Sequence, residues 1–113
     1  MDKKEKMRKY YLDVFSFEKK TIDRDDLDFL KSEVLELAYN RHTSVADALD
    51  LISGMLTYEF AHSDTRAETI KTFRALKNFS HFRNMITQKD VKTFFNSIDT
   101  DTLVNYPRLK SRA

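Results

Sequence analysis

The chain has 113 residues with nine Phe, five Tyr, one Gly, one Pro and no Cys, and carries a formal net charge of +2. That length gives one domain with a modest core, and the apolar content excludes a disordered chain. A single glycine and a single proline exclude a turn-rich sandwich or barrel, and the absence of cysteine excludes a disulfide framework or a thiolate zinc site.

The expected setting is reducing, hence intracellular and cytoplasmic. No apolar run approaches the roughly 18 residues of a membrane span, and Met1–Lys9 is too charged for a signal peptide. Charge is unevenly spread. Residues 1–20 carry +3, 21–50 carry −5, 51–75 are neutral and 76–113 carry +4.

Lys3 to Glu18 reads as a basic amphipathic helix with Met7, Tyr10, Tyr11, Val14 and Phe17 on one face. Residues 10–17 also suit a strand, but no strand partner is evident elsewhere. Thr21 or Asp23 then caps a helix over Arg24–Arg41, whose acidic first turn suits the helix dipole. Leu27, Leu30, Val34, Leu37 and Ala38 form its apolar stripe, and Arg41 and His42 close it.

Ser44, with Asp47, opens the central helix, about residues 45–62. Val45, Ala48, Leu49, Ile52, Met55, Leu56 and Phe60 share one side at about 100° per residue. This is the densest apolar stretch and contains the only glycine, Gly54. Thr65 with Glu68 is a capping box opening a helix over Arg66–Lys77. Ile70, Phe73, Leu76 and Phe79 recur at every third position, Asn78 is the expected terminator, and Ser80 caps a short following turn. Thr87 with Asp90 opens a fifth helix over Gln88–Ser97, with Val91, Phe94, Phe95 and Ile98 inward. A short last helix carries Leu103 and Val104, and 107–113 forms a basic tail ended from the helix by Pro107. The expectation is an all-α, compact, single-domain bundle of about five helices.

Three constellations could carry chemistry. Glu59 projects from the apolar stripe of the central helix. Such a carboxylate either meets a cation, with Arg66, Arg74 and Lys77 as candidates, or is a buried functional group with a raised pKa. His42, His62 and His81 fall at expected helix boundaries, where capping accounts for them. No HExxH spacing supports a metal. Asp99-Thr100-Asp101 begins like a calcium loop but lacks the glycine and glutamate that complete one. No catalytic residue, metal or cofactor is expected, and the chain reads as a non-enzyme.

The second constellation is the far side of the second helix, where Asp25, Asp26, Glu33 and Glu36 surround Phe29. An aromatic anchor ringed by charge suits a protein partner with a basic surface. The third is Lys71–Arg83, where Lys71, Arg74, Lys77, Phe82 and Arg83 interleave cations and rings as a nucleic-acid surface requires. A membrane role for the basic N-terminal helix ranks last. The expected function is therefore a regulator, inhibitor or chaperone of a protein partner, with nucleic-acid binding as the alternative. Homo-oligomerisation is left open by these residues.

Overall fold

The computed structural model describes residues 2–19 and 21–97. Among these the chain is all-α, with no strand, and has five helices: α1 Lys3–Phe15, α2 Arg24–Asn40, α3 Val45–Ala61, α4 Arg66–Arg83 and α5 Gln88–Ser97. Ile98, the Asp99–Asp101 segment, the short last helix and the basic tail lie outside the described residues. No described helix is long and apolar enough to cross a membrane.

Side-chain caps set the helix starts. Asp2 accepts from the Glu5 N–H at 2.7 Å to open α1, and Ser44 accepts from the Asp47 N–H at 3.0 Å to open α3. Thr65 accepts from the Glu68 N–H at 3.1 Å, while the Glu68 carboxylate reaches back to the Asp64 N–H at 2.9 Å. Thr87 and Asp90 exchange such bonds reciprocally. Apart from the bond to Asp64, which lies just before the Thr65 cap, each satisfies one of the N–H groups that a helix leaves unpaired at its start. At Asp23 the backbone is extended as a cap requires, but its side chain makes no cap bond.

The end of α2 is a Schellman turn. The Thr43 N–H donates to Ala38 O at 3.0 Å and the His42 N–H to Tyr39 O at 3.2 Å. His42 adopts φ 53°, the left-handed position that glycine commonly fills. Gly54 instead sits mid-helix in α3, where an added Cβ would meet nothing within 4 Å. Neither the fold's turns nor its packing require that glycine.

By backbone proximity the chain divides into two units, Met1–Ile22 with Leu49–Met85 and Asp23–Ala48 with Ile86–Ala113. In the first, α1 packs along α4. Its buried residues are Tyr11 and Phe15 of α1, Leu49, Ile52, Met55 and Leu56 of α3, and Thr72, Ala75, Phe79 and Phe82 of α4. The rings of Phe15, Phe79 and Phe82 form one cluster. Phe15 meets Phe79 edge-on at 5.0 Å and Phe82 at 5.2 Å, geometry that adds about 0.5–1.5 kcal/mol per pair beyond burial.

The structure departs from the sequence expectations at several points. α1 stops at Phe15, not Glu18, and buries Phe15, whereas Tyr10 is exposed. α4 does not end near Lys77 but runs on to Arg83. Asn78 is the reason the terminator reading fails. Its side-chain amide donates to Phe15 O and Phe17 O, both at 2.8 Å, so it serves the unpaired carbonyls at the end of α1 rather than stopping its own helix. The buried line of α4 is Thr72–Ala75–Phe79–Phe82, at i, i+3, i+7 and i+10. The every-third-residue line drifts off it, leaving Ile70 and Phe73 exposed. Thr72 can be buried because its hydroxyl donates to Glu68 O and Thr69 O and lies 3.2 Å from the Ser63 hydroxyl. On α3, Phe60 is exposed instead of buried.

In the second unit Leu30, Val34, Leu35 and Ala38 of α2 are buried, as is Ala48. α5 packs on α2, with Tyr39 and Phe95 rings 6.2 Å apart, yet none of the α5 residues expected inward is fully buried. The Lys31 ammonium bonds the Asp90 carboxylate at 2.9 Å. That bond first, then the Thr87 N–H, holds the Asp90 carboxyl below its usual 3.8. A carboxyl lowered in the folded state contributes stability above its unfolded pKa and loses it as pH falls through the folded value, here below 3.8. Asp90 stays close to water, so the pair is worth only about 0.5–1 kcal/mol. Asp90→Asn is therefore expected to speed hydrogen exchange in α5 at neutral pH, with the difference from wild type vanishing in that acid range. A difference that persists there would remove the ion pair as its cause.

Candidate partner-binding faces

On α2 the helical repeat places Asp25, Phe29, Ser32 and Glu36 along one stripe, with Asp26 and Glu33 on its flank. Asp25 and Asp26 are exposed, Glu33 and Glu36 half-buried, and Phe29 is 53% exposed. The structure thus brings together the residues singled out from the sequence, and the ring at their centre is open to solvent. Leu30, Val34 and Ala38 on the other side hold the helix in place. Glu33 and Glu36 also take part in contacts of their own.

The basic and aromatic residues of α4 are disposed differently. Lys71 bonds Asp13 at 2.6 Å, Arg74 bonds Glu18 at 3.3 Å and Arg83 bonds Asp50 at 3.0 Å. Phe82 is fully buried, so its ring cannot stack on a base. Of the five residues considered for nucleic acid, only Lys77 is exposed without an ion pair among the described residues. The others join the parts of their own unit.

Glu59 is paired, but not with Arg66, Arg74 or Lys77. Its Oε1 accepts from Arg8 Nε at 3.2 Å, and the two side chains are 18% and 14% exposed. A partner 51 residues away could not be found from helix spacing. The Arg8 guanidinium also lies 4.2 Å over the Tyr58 ring, and Tyr58 stacks on His62 at 4.0 Å. The result is a layered cluster in which one cation meets a carboxylate and an aromatic face together. Beside it runs a cleft of about 470 Å³ lined by Arg8, Glu59, His62, Ser63 and Lys71 among others. His62 Nδ1 lies 2.9 Å from Tyr58 O, His42 occupies the α2 turn, and His81 is exposed in the last turn of α4. Among the described residues no three His, Asp or Glu side chains form a metal-ligating group.

A further exposed stripe was not recognised in the sequence. Arg66, Ile70, Phe73 and Lys77 recur at i, i+4, i+7 and i+11 on the side of α4 away from its buried line. Their 3.6-residue spacing is visible in the sequence, but apolar character alone assigns the Ile and Phe to the core. No family model, curated protein or solved structure matches the chain.

Proposed function

We propose that the chain is a non-catalytic helical protein that binds a protein partner and regulates, inhibits or chaperones it, with the acidic face of α2 as the contact surface. The observation that carries this reading is Phe29, a large apolar ring left 53% exposed among carboxylates. Leaving it in water forgoes roughly 25 cal/mol per Å² of apolar area that a partner could cover. Aromatic residues, Phe among them, are enriched in the cores of protein interfaces, where a few anchors carry most of the binding energy within a polar rim. The surrounding Asp25, Asp26, Glu33 and Glu36 ask for a basic complement and speed its approach at low salt. The nucleic-acid alternative rests on less, since three of its four cations are spent on Asp13, Glu18 and Asp50.

The test is partner capture by purified wild type and by a Phe29→Ala, Glu33→Lys double variant. Loss of a central aromatic anchor costs about 2 kcal/mol or more, so affinity should fall at least about 30-fold with an unchanged circular dichroism spectrum. Undiminished capture by the folded variant would remove the α2 face from consideration.

A further inference from the structure

The two exposed stripes match. On α4, Arg66–Ile70–Phe73–Lys77 presents two apolar residues, 48% and 58% exposed, between two cations. The Phe60 ring at the end of α3 lies 6.4 Å from that of Phe73 and widens the apolar centre. The stripe itself contains no carboxylate. Arg66 and Lys77 have no ion pair among the described residues, while Lys71, Arg74 and Arg83 on neighbouring lines of the helix are each neutralised within the chain. On α2, Asp25–Phe29–Ser32–Glu36 repeats the same i, i+4, i+7, i+11 spacing with the opposite charge. Each stripe spans about 16 Å at 1.5 Å per residue.

We propose that this chain docks on a second copy of itself, the α4 stripe of one copy lying along the α2 stripe of the next. With the helices parallel, Arg66 faces Asp25, Ile70 faces Phe29, Phe73 faces the small Ser32, and Lys77 faces Glu36. With them antiparallel, Phe73 faces Phe29 and the charged ends still meet opposite charges, because both ends of each stripe carry one sign. Glu36 is half-buried and already engaged, so the exposed Asp25 end supplies the larger share of the attraction. The two surfaces differ, so the contact is heterologous and a docked pair still offers one α4 stripe and one α2 stripe, a head-to-tail arrangement that closes into a ring or grows. Patches of this size give weak, concentration-dependent association. The inference rests on the reading of the Phe29 face as a docking surface and names its occupant.

The experiment is light scattering of the purified chain over a wide concentration range at low and high salt, with two charge-reversed variants. Mass is expected to rise with concentration at low salt and fall back toward the monomer at high salt. Arg66→Glu with Lys77→Glu, and separately Asp25→Lys with Asp26→Lys, should each remain monomeric while folded. Mixing the two variants should restore association, because each then offers the stripe that the other lost. A wild type that stays monomeric throughout, an assembly indifferent to either reversal, or a mixture that fails to associate overturns self-docking. So does a monomer that instead binds a synthetic acidic helical peptide through Arg66 and Lys77. A monomeric wild type whose Phe29-dependent capture of another protein persists leaves the proposed function standing and rejects this occupant alone.

Discussion

Replacing Ile52 with Asp is expected to unfold the protein. Ile52 has no exposed surface, and Ala48, Leu49, Met55 and Leu56 on the same face of α3 are buried with it. Removing the isoleucine forfeits about 2–3 kcal/mol of burial. Placing a carboxylate at that position adds several kcal/mol more unless it takes up a proton or draws in water. The sum is comparable with the whole stability of a small domain, about 5–15 kcal/mol. The damage should not be local, because α3 contributes Ala48 to one unit and Leu49–Leu56 to the other. Far-UV circular dichroism should show loss of helix at room temperature. Ile52→Val, which removes one methylene, should stay folded and cost about 0.5–1.5 kcal/mol. A folded Ile52→Asp protein with a wild-type denaturation midpoint would refute the placement of α3 in the core.

α3 was legible because its pattern is local. Apolar residues three and four apart, opened by Ser44 and Asp47, dictate a helix and its inward face without reference to anything distant. The same holds for α2 and for the start of α4, where Thr65 and Glu68 announce themselves. What could not be read was everything decided between segments far apart in sequence. Asn78 looks like a stop signal until the carbonyls of Phe15 and Phe17 are placed within 2.8 Å of its amide. Glu59 looks like an anomaly until Arg8 arrives from another helix. Lys71, Arg74 and Arg83 look like a phosphate-binding row until their acidic partners appear, Asp13 on α1, Glu18 in the segment after it and Asp50 on α3. The side of Phe29 is set locally, since its spacing puts it opposite the leucine stripe of α2, but its 53% exposure depends on what packs nearby and is not in the spacing. Ile70 and Phe73 cannot be placed on the surface from sequence, because apolar character alone does not say which side of a helix is covered.

That distinction has its largest consequence in α4, where two phenylalanines nine residues apart should behave in opposite ways. Phe82 is fully buried against Phe15, with the Phe79 ring 6.1 Å away. Phe73 on the same helix is 58% exposed and touches the ring of Phe60 from the surface. Phe82→Ala removes a ring from a closed cluster and leaves a cavity, which costs about 3–5 kcal/mol. At about 4–8 °C per kcal/mol for a domain near this size, its melting temperature should fall by more than about 10 °C. Phe73→Ala forfeits only partial burial and should stay within about 0.5–1 kcal/mol of wild type. If Phe82 acted instead as a stacking ring on a binding surface, the order would invert: Phe82→Ala would melt with the wild type and lose only ligand. Paired thermal melts of the two variants decide it, because equal or inverted shifts are incompatible with the Phe15–Phe79–Phe82 cluster as the centre of the first unit.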